Sequence, residues 1–420
     1  MKIWTIKEGE PLPIPETPGR LMRCGIVSEM LAQRGHDVTW WTSDFFHQTK
    51  LRVRDGEAEA ALSDHYRLKM LHPKTVYTKN ISPQRIRYSS QMGKAFRRAA
   101  REAEKPDVIF CAYPLIDLAD EAVAYGKEFH VPVVVDIRDL WPDIFWEHFG
   151  SPVSGAVRAV CGPMRRKAAR AIQNADAVIG NIPKCLEFAA DYGRRPGERD
   201  GVYYLAYQER QFSPEELHAA ERFWQEKGLS PSDFILCWIG QINLQRTDFI
   251  LAADAAAADP RVKFVICGDG PSKAELEKKY SGCGNILFPG FLGQAELEAL
   301  MRIASVGLIP IRNTPDFINT INNKAIEYMA GSLCIGTTLK GIQKQLVEEE
   351  DLGFWFETRE DLETELDRLI GDPELLRRRK ENARRYFEAN FRSETVYGKL
   401  CDMLEELGAQ EGGGPAQARD

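Results

Sequence analysis

A chain of 420 residues, 44% of them hydrophobic, is too long for one ordinary core and suits two domains of roughly 200 residues each. Its formal net charge of -7 argues against a general nucleic-acid binder, whose affinity comes from Lys and Arg set against many phosphates. Nine cysteines without a CxxC pair or zinc-finger spacing exclude a cysteine metal framework and suit a reducing compartment such as the cytosol.

In chain order, the first element is a short strand at 2–6, followed at once by Glu8, Glu10 and several prolines, which is no signal-peptide core. No run approaches the roughly 20 apolar residues that a helix needs to cross a bilayer. Arg20 to Arg34 reads as a helix closed by Gly35, and strands follow at 36–43 and 69–76. A basic helix from Ile86 to Glu104 precedes strands at 106–114 and 131–139, with the helix Leu118–Phe129 between them. The unbroken Val133, Val134 and Val135 suit a parallel sheet covered on both faces. A long basic helix from Val157 to Gln173 leads to a strand at 175–183.

A boundary falls between Tyr204 and Ser213, and the alternation then restarts. Helices are expected at Pro214–Trp224, Thr247–Ala258, Ala274–Lys279, Ala295–Ala304 and from Asn322 to Met329. Strands are expected at 234–242, 262–271, 285–288, 305–311, 332–337 and 350–356. Glu374 to Leu407 is a long helical region with a break near Asn390. The pattern predicts an α/β protein with two Rossmann-like doubly wound domains, 1–208 and 209–384, a helical segment 385–408 and a disordered tail 409–420.

In such sheets ligands bind beyond the carboxyl ends of the strands. Gly19 lies there, at the start of the first helix, as either a close approach to an anion or part of an ordinary loop. The GDGP turn at 268–271 sets Gly268 and Gly270 between a strand and a helix, against a nucleotide or merely in a tight turn. Neither a full GxGxxG fingerprint after the first strand nor a GxxxxGK[ST] loop occurs, which argues against a nicotinamide or flavin oxidoreductase and a Walker-type ATPase. The histidines show no HExxH and no cluster, so no metal is expected. Asp136, Arg138 and Asp139 end the VPVVVD strand in a dense polar loop suited to acceptor-side work or to salt bridges. The strongest local signal is 316–337, where amides from Thr320 through Ile321 to Asn323 could cradle a diphosphate. Lys324 then adds a cation or caps the loop, and Glu327 holds ribose hydroxyls or is an ordinary exposed glutamate.

These motifs in this order resemble retaining glycosyltransferase family four, of the GT-B architecture, most closely its bacterial surface-polysaccharide and O-antigen branch. The matching segments are PIPETPGRLMRCGIVSEMLAQRGHDVTWWTS, PDVIFCAYP, VVVDIRDLWPD, ICGDGP, FPG and NNKAIEYMAGSLCIG. The resemblance implies two domains facing across a cleft, with 1–208 on the acceptor side, 209–384 binding the nucleotide sugar, and the last helix returning to the first domain. It implies that Gly19 approaches the donor diphosphate and that Gly268 and Gly270 lie near base and ribose. It sets Gly240, Gln241 and Arg246 on the family's Gly–Arg-x4-Lys segment, so that Gln241 replaces the usual Arg and Arg246 keeps the charge of the usual Lys. It sets Glu327 on the second glutamate of the Glu-x7-Glu motif and Asn319 on the first, where asparagine carries no negative charge. The family's histidine beyond the fourth strand is absent from CAYPLID, which leaves Asp139 and Arg138 to orient sugar or acceptor.

The implied reaction moves a hexosyl or N-acetylhexosaminyl group from a nucleoside diphosphate sugar, UDP by default, to a lipid-linked or glycan acceptor in lipopolysaccharide-type synthesis. The anomeric configuration is retained by front-face attack, the departing diphosphate taking the acceptor proton. Arg246 and Lys324 support the charge on the β-phosphate, and no cofactor or metal is required. Two basic segments, Lys79 to Arg101 and Arg158 to Arg170, suggest a cytoplasmic protein in peripheral contact with an anionic membrane, or helix surfaces balanced by Glu102 and Glu104. Rival readings are a nucleotide-sugar epimerase and a non-catalytic sugar-nucleotide-binding scaffold, the latter suggested by Gln241 and Asn319.

Overall fold

The computed structural model describes residues 1–17, 21–80, 82–147, 153–318 and 320–412. The chain forms two units, residues 1–205 with the chain from Val396 onward, and residues 206–395. Each is a Rossmann-like layer of helices on a parallel sheet.

The strands of the first unit are β1 (Lys2–Ile6), β2 (Asp37–Ser43), β3 (Phe45–Phe46), β4 (Leu51–Arg52), β5 (Ala58–Ser63), β6 (Tyr66–Leu71), β7 (Val108–Tyr113), β8 (Val133–Ile137), β9 (Ala177–Gly180) and β10 (Gly201–Val202). Its helices are α1 (Arg23–Gln33), α2 (Pro83–Glu102), α3 (Ile116–Phe129), α4 (Ile144–Glu147), α5 (Val153–Val160), α6 (Gly162–Asn174) and α7 (Pro183–Asp191). The main sheet runs β10-β9-β8-β7-β1-β2-β6-β5, parallel except for β5 against β6. β7 and β8 are buried along their whole length, as apolar strands covered on both faces must be. Aromatic contacts bind the helices to the sheet: Trp4 lies 5.0 Å from Trp41 and 5.1 Å from Tyr125 of α3, and Trp41 lies 5.3 Å from Phe96 of α2. Such pairs contribute about 0.5–1.5 kcal/mol each beyond their buried area.

Two expectations change here. The acidic stretch from Ala58 is a strand, unrecognised because it lies at the sheet edge and covers only one face, alternating half-buried with exposed residues. The basic helix of 157–173 is two helices, α5 and α6, parted at Cys161. Pro163 sits in the first turn of α6, where a proline suits a helix start and cannot continue a helix from before it.

The second unit holds α8 (Pro214–Glu226), β11 (Phe234–Ile239), α9 (Phe249–Ala258), β12 (Val262–Cys267), α10 (Lys273–Lys279), β13 (Ile286–Gly290), α11 (Gln294–Ile303), β14 (Val306–Ile309), α12 (Pro315–Ile318) and α13 (Asn323–Ala330). Then come β15 (Cys334–Thr337), α14 (Ile342–Glu349), β16 (Gly353–Trp355), α15 (Arg359–Gly371), α16 (Pro373–Asn390) and α17 (Ser393–Gly412). Its sheet, β13-β12-β11-β14-β15-β16, is parallel throughout. Capping boxes at Ser213 and Thr358 start α8 and α15. α14 and α15 were not foreseen, since their stretches are dominated by charge rather than by an apolar run.

The last helix, α17, returns to the first unit as expected. Arg34 at the end of α1 reaches Asp402 at 2.7 Å and Glu405 at 3.0 Å, and His36 Nε2 lies 2.8 Å from Glu405. Leu400, Cys401, Leu404 and Leu407 are buried. Among the described residues no helix is long and apolar enough to cross a membrane. Strand order reverses between β1 and β7 in one sheet and between β11 and β14 in the other. Those reversals open the crevices where a doubly wound sheet binds its ligand.

Candidate functional site

At the crevice of the second unit two loops are zipped together by their backbones. The Gly240 N–H donates to the Cys267 carbonyl at 2.9 Å, Ile242 to Asp269 at 2.9 Å and Ser272 to Ile242 at 3.2 Å. This approach is why glycine stands at three of the expected positions. Gly240, Gly268 and Gly270 have φ of +151°, +134° and +159°. A Cβ on Gly268 would strike the Gly240 carbonyl, and one on Gly270 would come within 2.8 Å of Ile242 backbone. The GDGP turn thus packs against the neighbouring loop, and its glycines answer first to that contact. Gln241 is exposed at the tip.

Lys324, one residue into α13, comes up beneath Gly240. Its Nζ donates to the Ile239 carbonyl and lies 4.8 Å from the centre of the Trp238 ring. A Cβ on Gly240 would meet the Lys324 Cε at 2.7 Å. Burial lowers the lysine pKa against the opposing pull of Glu327. Glu327 is half-buried one turn further along the same helix. Arg246 is exposed, its guanidinium 4.9 Å from the Phe317 ring. Thr320 and Ile321 are half-buried just before α13, the Thr320 N–H reaching the Phe317 carbonyl at 3.4 Å. Gly19 and Asn319 lie outside the described residues.

One positioning residue escaped the sequence reading. Gln343, on α14, is fully buried. Its Oε1 accepts from the Asn322 N–H at 3.0 Å and its Nε2 donates to Thr337 Oγ1 at 2.8 Å, tying the start of α13 to the end of β15. Asn322 then caps α13 by accepting from the Lys324 N–H at 3.0 Å. Gln343→Leu leaves the half-buried Asn322 N–H without its acceptor, while Thr337 Oγ1 keeps the Leu339 N–H at 3.1 Å, and is expected to cost about 1–3 kcal/mol in all. Urea unfolding followed beside UDP binding checks this, and an unchanged midpoint would show that the tether is dispensable.

In the first unit the residues after β8 form a buried charge network. Arg23 and Asp136 are both fully buried and 2.6 Å apart. Arg138 Nε donates to the other Asp136 oxygen at 2.6 Å, and its Nη1 pairs with Glu10. The Cys24 N–H donates to Glu10 at 3.1 Å. Burial opposes the charge on Arg138, but Asp136, the Cys24 sulfur and Glu10 outweigh it and raise its pKa. Arg138, expected to orient sugar or acceptor, is therefore committed to internal carboxylates. Asp139 remains at the surface, though both its oxygens accept from its own loop, from Leu140 N–H at 2.8 Å and Trp141 Nε1 at 3.0 Å. Desolvation by that loop raises its pKa, against the pull of these two donors, Arg85 and Lys7.

Much of the basic surface is neutralised by partners other than those expected. Arg97 pairs with Glu121, Arg98 with Glu57, Arg101 with Glu128, Lys167 with Asp117 and Arg170 with Asp120. Among the described residues no three His, Cys, Asp or Glu side chains converge as a metal site would require.

Two doubly wound units, each with its own strand-order reversal, make up the GT-B fold. The family described as glycosyl transferase 4-like domain matches residues 24–203, and that described as glycosyl transferases group 1 matches residues 233–372. The two divide the chain between its units, and the chain belongs to the family-four-like glycosyltransferases. Alpha-D-kanosaminyltransferase of Streptomyces kanamyceticus is 25% identical over 291 residues, 66% of this chain and 71% of that protein. The sucrose-phosphate synthase of Thermosynechococcus elongatus shares the fold with TM-score 0.67 and 17% identity, covering 97% of this chain and 99% of that one. HepE of Anabaena, solved in complex with UDP, does so with TM-score 0.64 and 16% identity, covering 97% and 100%.

Proposed function

We propose that the chain transfers a sugar, with retention, from a UDP-sugar to a lipid-linked or glycan acceptor in surface-polysaccharide synthesis. The observation that carries the donor half is the Lys324 ammonium held beneath the glycine loops at the crevice of the second unit. HepE, of the same fold, was solved with UDP, which favours that nucleotide here.

In this reading the Ile321 amide holds the diphosphate, joined by the Thr320 amide once it leaves the Phe317 carbonyl, and Glu327 takes the ribose hydroxyls. Negative charge grows on the β-phosphate as the glycosidic bond breaks, and Lys324 and Arg246 oppose it. The departing phosphate oxygen takes the proton of the attacking hydroxyl. The membrane half rests on α5, where Val160 is 81% exposed next to the exposed Arg158. An anionic leaflet favours such a pairing of apolar and basic groups.

Glu327→Ala is expected to weaken UDP binding about a hundredfold or more, since two hydrogen bonds to a charged acceptor contribute about 1.5–3 kcal/mol each. Calorimetric titration of purified protein with UDP, GDP and ADP reads this. Selective UDP binding that falls in the variant supports the donor site. Tight binding of no nucleotide, or binding indifferent to Glu327, would overturn it.

A further inference from the structure

At the mouth of the first unit's sheet lies a group of cations that sugar-donor binding does not use. Lys50 stands in the turn between β3 and β4, its Nζ 3.0 Å from His47 Nδ1 and 2.8 Å from Asn80 Oδ1. It lies 4.8 Å from the centre of the Tyr77 ring. Arg85, in the first turn of α2, shares that ring at 5.2 Å, covers Trp141 at 4.3 Å and donates to the Asn80 carbonyl at 3.1 Å. Its Nε is buried and has no hydrogen-bond partner among the described residues. Lys7 leaves the end of β1 and reaches the Pro114 carbonyl after β7 at 3.4 Å, across the strand-order reversal.

The partners of these three cations are carbonyls, an amide, an imidazole and aromatic rings. The arginines further along α2 have carboxylates instead, Arg97 with Glu121 and Arg98 with Glu57. Two acids face the group and offset part of its charge. Glu8 is buried and accepts from the Tyr88 hydroxyl at 3.4 Å, and both Asp139 oxygens are occupied by their own loop. His47 adds no charge at neutral pH, because burial and the nearby Lys50, Arg85 and Lys7 hold its pKa down to about 4. Three cations against two carboxylates leave a positive surplus at the place where this fold presents a ligand.

We propose that Lys7, Lys50 and Arg85 form an anion subsite that takes a phosphoryl group of the acceptor. The inference rests on the glycosyl-transfer reading for the word acceptor, but not for the site. A guanidinium with a buried, unpartnered N–H beside an ammonium suits phosphate oxygens, through a directed donor and a point charge. The phosphoryl group belongs either to a soluble sugar phosphate or to a lipid-linked phosphate.

The test is calorimetric titration of the full chain with inorganic pyrophosphate, with UDP present in saturating amount to fill the donor site. Lys50→Gln and Arg85→Gln are each expected to weaken pyrophosphate binding about tenfold, as loss of a charge-assisted contact does, while Lys50→Arg preserves it. UDP affinity, measured separately, should not change in these variants. Thermal unfolding by circular dichroism confirms that each remains folded. Pyrophosphate binding indifferent to both Gln substitutions would overturn the subsite. If UDP fails to bind, the donor assignment falls, and the pyrophosphate titration repeated without UDP still reads the subsite through the same variants. Glucose 1-phosphate and phosphatidic acid in phosphatidylcholine vesicles separate the two sources. Binding of either one that falls with Lys50→Gln supports the subsite and names its source, and binding of neither overturns it.

Discussion

Asp136→Ala is expected to destabilise the first unit by about 3–5 kcal/mol, the cost of breaking a buried ion pair by removing one partner. The Asp136 carboxylate is shared by two guanidiniums, Arg23 on one oxygen and Arg138 on the other. Arg23 has little else to satisfy it: its Nη2 donates to the Tyr203 carbonyl, and its Nε is buried without a partner among the described residues. Removing the carboxylate leaves a buried cation that cannot reach water. Arg138 fares better, because Glu10 holds it and its side chain is 13% exposed. Most of the penalty therefore falls on Arg23. The double variant Asp136→Ala, Arg23→Met should recover part of the loss, since the stranded charge goes with the carboxylate. Urea unfolding of the single and double variants reads both effects. A single-variant loss below about 1 kcal/mol, the value of an exposed pair, would mean that water reaches Arg23.

The same network shows what the sequence made legible. The strand ending VVVD was plain from its apolar run, and so was the polar loop after it. Which carboxylate faces Arg138 was not, because Glu10 lies 128 positions away and its approach depends on how the β1 loop folds back. Close approach also separated the glycines from their expected reason. GDGP was visible as a turn between strand and helix, but the backbone that forbids a Cβ there belongs to a loop almost thirty residues earlier. Gln343 left no signal at all. It sits in the polar stretch IQKQLVEE, where a buried glutamine and an exposed one look alike. β5 failed for the opposite reason to β8, since one covered face requires no apolar run.

Lys324→Met is expected to lower kcat by about 10²–10³-fold, the scale on which one preorganised group facing developing charge contributes. Lys324 is prepared for that role by what surrounds it. The Ile239 carbonyl and the Trp238 face hold the ammonium in place before any ligand arrives, so no reorganisation is needed as the glycosidic bond breaks. Methionine keeps the length and packs on the indole, so the variant should fold and bind UDP with a smaller loss than the loss in rate. Burial lowers the lysine pKa in the free protein, and a bound diphosphate favours the charged form. At pH values near and above that lowered pKa, UDP binding is therefore coupled to proton uptake. The sign follows: affinity falls as pH rises through the lowered pKa, because the proton then has to be taken from solvent. Titrations in buffers of different ionisation enthalpy measure that uptake directly, and Lys324→Met should abolish it. If instead the wild type takes up no proton and kcat survives the substitution, Lys324 is a packing residue beneath Gly240, and the charge on the leaving diphosphate must be met by Arg246 and backbone amides alone.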